Sequence, residues 1–179
     1  MIPRHASAFC ALTAAGLLAA GVPHAAVVQD AGASRWIVSE GLSKSTRKPR
    51  TVARLPADRP IAGQAGPVMP LLALECHGGE LAAYVHAGIG WLGAPPLIVV
   101  WDDGEPQEDW SWMPLPKGST LESSTPVGFV RALSASTRVQ IELRPRSTSR
   151  QLVSFTLAGV HAVVEQLGSA CVVEPSTVA

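Results

Sequence analysis

The stretch LVSFTLAGVHAVVEQLGSAC, residues 152–171, constrains the fold more than any other part of the chain. Its first part alternates apolar and polar residues, which predicts a half-buried strand whose inward side carries Val153, Phe155 and Leu157. The period then changes, and apolar residues recur at helical spacing at Val160, Val163, Val164 and Leu167. We therefore expect a strand that passes directly into a helix, a helix end at Gly168, and Cys171 just beyond it.

The N-terminus predicts export. Residues 1–4 are positively charged, residues 6–22 are an uncharged apolar run, and the small residues Ala25 and Ala26 follow. This order is typical of a secretory signal peptide, here residues 1–26 with cleavage after Ala26. The alternative is a transmembrane anchor, for which the run is short and rich in alanine. We expect a periplasmic or secreted protein with no membrane span after cleavage.

The rest of the chain has the length of one domain. We expect a flexible leader at 27–35, a single β-rich domain at 36–173 and a disordered tail at 174–179. Loss of Arg4 with the signal peptide leaves 13 basic against 14 acidic residues, a net charge of −1. This balance gives no global attraction to nucleic acid or anionic lipid.

Cleavage also removes Cys10 and leaves Cys76 and Cys171. Two cysteines in an exported chain are most simply explained as a disulfide pair. The bridge would fasten the end of the C-terminal helix to the strand that carries Cys76. The alternative is that one cysteine is a free reactive thiol.

Strand patterns dominate the region between the two cysteines. Residues 71–87 alternate on both sides of a His77–Glu80 turn, and residues 138–144 alternate cleanly. Residues 60–70 have the composition of a loop, while residues 125–134 suit a helix with Pro126 at its first position and with Val127, Val130 and Leu133 inward. We predict a mainly β fold, an antiparallel β-sandwich of about 7–9 strands with two short helices, one of them C-terminal.

Six residues are candidates for a partner surface. The segment 44–59 is rich in cations, and it is either a charged, solvated edge arm or a patch for an anionic partner. No aromatic residues interleave its charges, as a nucleic-acid platform requires. Tyr84 and His86 occupy the outward side of a predicted strand, and Trp91 lies in a glycine-rich loop. The candidates are Trp91, Tyr84, His86, Arg47, Lys48 and Arg50.

Motifs for chemistry are scarce. The sequence contains no Gly-x-Ser-x-Gly elbow, Gly-x-Gly-x-x-Gly fingerprint or Walker loop. The histidines that remain after cleavage are scattered, and the acidic segment 102–109 reads as a solvated hairpin turn. Residues 109–113 predict one further strand, and we expect Trp101, Trp110 and Trp112 to pack in the core. The prediction is a protein that is not an enzyme and has no catalytic residue, metal site or cofactor.

The order of several short segments resembles a known family. These segments are RWIVSE, RTVARL, LLALEC, VVWDDG followed by WSW, TPVGFVRAL, RVQIEL, and FTLAGVHAVVEQL ending in Ala-Cys. Together they span residues 36–171 and are similar to the periplasmic proteins associated with type VI secretion, called VasI or TagO. The resemblance implies a β-sandwich accessory domain of the cell envelope, and it supplies no catalytic residues.

Three functional hypotheses follow. The leading one is a non-enzymatic envelope protein that binds another protein, for example in a secretion apparatus. The second is a module that binds peptidoglycan through exposed aromatic residues such as Trp91 and Tyr84. The third is a small periplasmic hydrolase whose site matches no motif considered above.

Overall fold

The computed structural model describes residues 34–90, 96–116, 118–145 and 149–171. Within them the chain forms twelve strands and two helices. The predicted signal peptide, residues 27–33 of the leader, the tail and Trp91 lie outside the described residues. The strands are β1 (Ile37–Leu42), β2 (Pro49–Pro56), β3 (Ile61–Gly63), β4 (Gly66–Val68), β5 (Leu71–His77), β6 (Glu80–His86), β7 (Leu97–Trp101), β8 (Gln107–Asp109), β9 (Trp112–Pro114), β10 (Thr120–Ser123), β11 (Arg138–Leu143) and β12 (Gln151–Thr156). The helices are α1 (Pro126–Ser134) and α2 (Val160–Ala170).

Two larger sheets and one hairpin make up the fold. The six-stranded sheet has the order β1-β2-β5-β6-β10-β9, the four-stranded sheet has the order β12-β11-β7-β8, and β3 pairs with β4. All pairs are antiparallel, and both large sheets contribute to one hydrophobic core. The prediction of an antiparallel sandwich-like fold with a C-terminal helix is confirmed. The chain has more strands than the predicted 7–9. Four of them, β3, β4, β8 and β9, are only three residues long, which is too short for a strand to be recognised from its sequence pattern.

Alternation places the predicted side chains of β5 and β6 inside. Leu72, Leu74 and Cys76 are buried, as are Ala83 and Val85 on the return strand. The turn between them has Gly78 at φ 61° and Gly79 at φ 91°, conformations that glycine adopts without steric cost. The predicted hairpin is therefore present.

Both predicted helices form, with two differences. Helix α1 buries Phe129, Val130 and Leu133, whereas Val127 is 43% exposed and was wrongly expected to point inward. It lies in the first turn, away from the side of the helix that contacts β6 and α2. Helix α2 continues through Gly168 to Ala170, because burial of Leu167 against the core holds the last turn in place.

The disulfide joins Cys76 to Cys171, with the two Cα atoms 5.7 Å apart and a sequence separation of 95. Cys171 directly follows α2, and Cys76 lies on the inward side of β5. Both residues are buried. The predicted pairing is confirmed, and it anchors the end of α2 to the six-stranded sheet.

Asp58 forms a second connection, between the end of β2 and β12. Its carboxylate accepts hydrogen bonds from the backbone N–H of Thr156 (3.1 Å) and from the Thr156 hydroxyl (3.2 Å). Its own N–H donates to the Ser154 carbonyl at 2.8 Å. Arg35 forms an ion pair with Asp58 and donates to the Ala57 carbonyl. Arg35, the last residue of the predicted leader, is therefore in contact with the domain.

The segment around the tryptophans corrects two predictions. The expected single strand is broken: β8 ends at Asp109 in the four-stranded sheet, and β9 begins at Trp112 in the six-stranded sheet. The Asp109 carboxylate accepts hydrogen bonds from Ser111 N–H and from the Trp112 ring N–H, both at 2.9 Å. Trp112 is fully buried and Trp101 packs against the core, but Trp110 in the connection is 65% exposed.

A smaller correction concerns residues 60–70, which were expected to be a loop. They contain the hairpin of β3 and β4, joined by Gln64 and Ala65. Strands of three residues are too short to give a periodic pattern, which is why composition alone suggested irregular structure.

Candidate functional site

The side of the six-stranded sheet opposite the core, here called the outer face, gathers polar and aromatic side chains. The pairing register places Arg54, Ala73, Tyr84 and Glu122 in one row across β2, β5, β6 and β10. Because neighbours along a strand point to opposite sides, the next residues on this face lie two positions away. Glu75 and His86 are two positions from Ala73 and Tyr84, and Arg50 is four positions from Arg54 on the same side of β2. We call Arg50, Arg54, Glu75, Tyr84, His86 and Glu122 the Tyr84 cluster.

Two rings lie at the centre of this cluster. Tyr84 and His86 are two residues apart on β6, and their rings are stacked with centroids 5.9 Å apart and an interplanar angle of 24°. His86 Nδ1 lies 3.0 Å from the Thr120 hydroxyl oxygen and shares a hydrogen bond with it. The stack and the hydrogen bond fix the orientation of the imidazole.

The surroundings hold both rings in their neutral forms. Burial, together with the charges of Glu122 and Glu75 and a hydrogen bond to Glu122, raises the pKa of Tyr84 to about 12. Burial and the nearby charge of Arg54 lower the pKa of His86, and Glu75 opposes that change. At neutral pH the centre of the outer face is therefore an uncharged aromatic pair between charged groups.

An ion pair with two hydrogen bonds borders the rings. Arg50 donates from Nε to Glu75 Oε1 at 2.6 Å and from a terminal nitrogen to Oε2 at 2.7 Å. The hydrogen bond to Glu75 is the main reason why the pKa of Arg50 is raised. The planar, bidentate geometry restrains both side chains more than a single contact would.

Small residues lie beneath these larger side chains. Ala73 and Val52 belong to the outer face by alternation, yet they are only 2% and 4% exposed. The long side chains around them therefore cover the sheet. The arrangement is a layered, pre-organised surface that offers ring faces, carboxylates and guanidinium groups within a small area.

The structure places only some of the residues predicted for a partner surface close together. Tyr84, His86 and Arg50 share the outer face, as the register shows. Arg47 and Lys48 lie instead in the connection between β1 and β2, where Lys48 approaches the Gly78 turn. They are outside the Tyr84 cluster because Arg50 is the first of the three residues to lie within β2.

Four contributors were not recognised from the sequence. Arg54, Glu75 and Glu122 are members of the Tyr84 cluster, and Thr120 bonds His86. Glu75 did carry a signal, since it is the charged residue at the outward position of an otherwise apolar strand. Thr120 and Glu122 belong to a four-residue strand, and the sequence around it does not show which strand it pairs with.

Two open pockets lie elsewhere among the described residues. One, of about 330 Å³, is lined by Asp58, Arg59, Pro60, Ile61, Arg138, Leu152 and Ser154. The other, of about 310 Å³, is lined by Lys48, Pro49, Thr51, Cys76, Gly78, Gly79 and Ala170. Neither includes a member of the Tyr84 cluster.

Two absences apply to the described part of the chain. It contains no group of three or more His, Cys, Asp or Glu side chains arranged to hold a metal ion. Neither of its helices is long and apolar enough to cross a membrane.

Comparison with known proteins places a distantly similar fold among the solved structures. No protein-family model matches the chain, and no curated protein matches it. Among solved structures, the crystal structure of invasion associated protein B from Bartonella henselae aligns with a TM-score of 0.49 at 14% sequence identity. The alignment covers 75% of this chain and 91% of that chain.

Proposed function

We propose that this chain is a non-enzymatic, exported domain of the cell envelope that binds a partner protein through the outer face of its six-stranded sheet. The Tyr84 cluster is the observation that carries the proposal. A β-sheet face needs no stacked rings and no bidentate ion pair in order to fold, and aromatic and arginine side chains are enriched at protein interfaces.

The chemistry of the cluster favours a protein partner. The Tyr84 and His86 rings offer apolar faces, while Glu75, Glu122 and Arg54 provide acceptors and donors around them. A polypeptide presents apolar side chains together with amide donors and acceptors, which matches this mixture. An association of the partner with type VI secretion is supported by the sequence resemblance alone.

Site-specific photo-cross-linking in cells tests the proposal. A photoreactive residue at Met113, which is 54% exposed and pairs with Glu122 in the register, should give a discrete adduct with an envelope protein. The same probe at Leu152, 59% exposed on the four-stranded sheet, is the matched control and should give none. Tyr84→Ala should abolish the Met113 adduct. Equal adducts at both positions, or an adduct indifferent to Tyr84→Ala, would refute the outer face as the binding surface.

Export has its own test. Mass spectrometry of the protein from a periplasmic fraction should find Val27 at the N-terminus. A mature protein that keeps residues 1–26, or one confined to the cytoplasm, would contradict this part of the proposal.

The second candidate is binding to peptidoglycan. The stacked rings favour it, because sugar rings pack against aromatic faces. Sedimentation with purified peptidoglycan that is lost in Tyr84→Ala, without any protein adduct from Met113, would select this function. Measurable turnover of wall fragments would instead identify the chain as an enzyme.

A further inference from the structure

The edges of the two large sheets differ in how far they are open to another strand. Strand β9 contains Pro114, which has no N–H to donate, and β12 is bonded along its edge by Asp58. Strand β1 is six residues long and contains no proline. It is therefore the least protected edge of the six-stranded sheet.

The hydrogen bonds of the β1–β2 hairpin show which backbone groups are free. Ser43 N–H donates to the Lys48 carbonyl at 2.9 Å, so the bonded positions of the ladder continue at every second residue back along β1. The N–H and C=O groups of Glu40 and Leu42 consequently point away from β2. Both residues are exposed, and no residue in the described ranges bonds to these backbone groups.

The surroundings of this edge are basic and partly apolar. Lys44, Arg47 and Lys48, here called the basic turn, directly follow β1 and are exposed. In the part of the chain that the structure describes, none of them lies within ion-pair distance of a carboxylate. Leu42 is 58% exposed, and the carboxylate of Glu40 accepts a hydrogen bond from Gln166.

The far edge of the molecule has the opposite character. Strand β8 is an edge of the four-stranded sheet and is joined through two residues to β9, the strand at the other end of the six-stranded sheet from β1. Glu105 and Glu108 are exposed there, without an ion pair among the described residues, and Trp110 is 65% exposed. Five strand spacings, about 24 Å, separate β1 from β9, the strand that follows β8 in the chain.

We propose that the β1 edge of one copy docks onto the β8 edge of a second copy, head to tail. The basic turn then faces Glu105 and Glu108, and Trp110 covers Leu42. The open backbone groups of β1 lie beside those of Glu108, which the alternation of the β7–β8 ladder directs away from β7. The contact is heterologous, so it propagates into short chains of molecules. It uses neither the outer face nor the proposed function.

Sedimentation velocity of the purified mature protein over a wide range of concentrations tests this assembly. The average mass should rise with concentration at low salt and return to that of a monomer at high salt, because exposed charges are screened. A protein that remains monomeric at low salt throughout the range would overturn the proposal.

Two sets of neutralising substitutions identify the edges. Lys44→Gln with Arg47→Gln and Lys48→Gln removes the basic turn, and Glu105→Gln with Glu108→Gln removes the acidic charges. Each variant alone should stay monomeric, whereas an equal mixture should form a 1:1 dimer and stop there. Assembly that survives either set, or a mixture that does not dimerise, contradicts the edge assignment. All five residues are exposed, and unchanged melting temperatures would confirm that the variants fold.

Discussion

The six-stranded sheet is fastened to later parts of the chain in two physically different ways. At one end of β5, the Cys76–Cys171 disulfide fixes α2 covalently and is buried. At the end of β2, Asp58 connects to β12 through hydrogen bonds, and its side chain is 25% exposed. The first connection persists in the unfolded chain, whereas the second exists only in the folded state.

This difference determines how each connection contributes to stability. A disulfide acts mainly by restricting the unfolded chain, and its contribution increases with the length of the loop that it closes. A partly exposed hydrogen-bonded carboxylate exchanges bonds to water for bonds to protein and gains much less. The disulfide should therefore contribute more to the free energy of unfolding than Asp58 does.

The largest effect is expected from the helix that carries the covalent connection. Val163 is fully buried on the side of α2 that faces the core. Val163→Asp places an unpaired charge there, and the cost of several kcal/mol approaches the whole stability of a typical domain. We expect unfolding or aggregation even with the disulfide intact, measured by circular dichroism and size exclusion. Val163→Ala is the control and should fold with a loss of roughly 2 kcal/mol. A well-folded Asp variant would show that the disulfide alone holds α2 in place.

Removal of the disulfide should give the next largest effect. Replacing both Cys76 and Cys171 by alanine should lower the free energy of unfolding by up to about 4–5 kcal/mol for a loop of this length. Urea unfolding of the variant, and of the reduced wild-type protein, measures this loss. An unchanged midpoint after reduction would show that the disulfide does not stabilise the domain more than Asp58 does. Two free thiols in protein taken from the periplasm would show that the disulfide is absent there.

A smaller loss is expected at the polar connection. Asp58→Ala removes the acceptor for both Thr156 donors and the partner of Arg35, and should cost about 1–3 kcal/mol. Amide exchange of Thr156 should accelerate, while exchange around Cys76 should not. Asp103→Ala is the matched control, because the Asp103 side chain is 88% exposed and its ion pair with Arg138 is worth little. Equal losses in both variants would mean that Asp58 is one more surface charge.

The two connections also mark what the sequence can reveal. The disulfide can be predicted because the chain carries an export signal and only two cysteines remain after its removal. The helical spacing of Val160, Val163 and Leu167 predicts that Cys171 lies just beyond the end of a helix. Asp58 gives no such signal, because its partners on β12 are 98 residues away in sequence. Its role depends on the way the two sheets meet, which local periodicity does not encode.

The same limit applies to the candidate site. Alternation predicted that Tyr84 and His86 point away from the core, since it depends only on neighbours within β6. It could not show that Glu122 lies beside Tyr84, because that requires the pairing of β6 with β10. Trp110 was misplaced for a related reason: the chain changes sheets within two residues, and this breaks the alternation that seemed to bury it.

The smallest expected effect is a dependence on pH that the disulfide cannot produce, because bonded cysteines do not titrate. Burial and Arg54 lower the pKa of His86 from its ordinary 6.5, so the unfolded chain takes up a proton there more readily than the folded one. The stability that the neutral imidazole contributes is complete above the unfolded pKa and is lost as the pH falls through the folded pKa.

Urea midpoints measured from about pH 8 to about pH 5 should therefore decrease, and His86→Gln should flatten that part of the decrease. His161→Gln, on the exposed side of α2, should leave it unchanged. A slope that is identical in the His86 variant would show that the Tyr84 cluster does not hold the imidazole neutral, and that the acid sensitivity arises elsewhere in the domain.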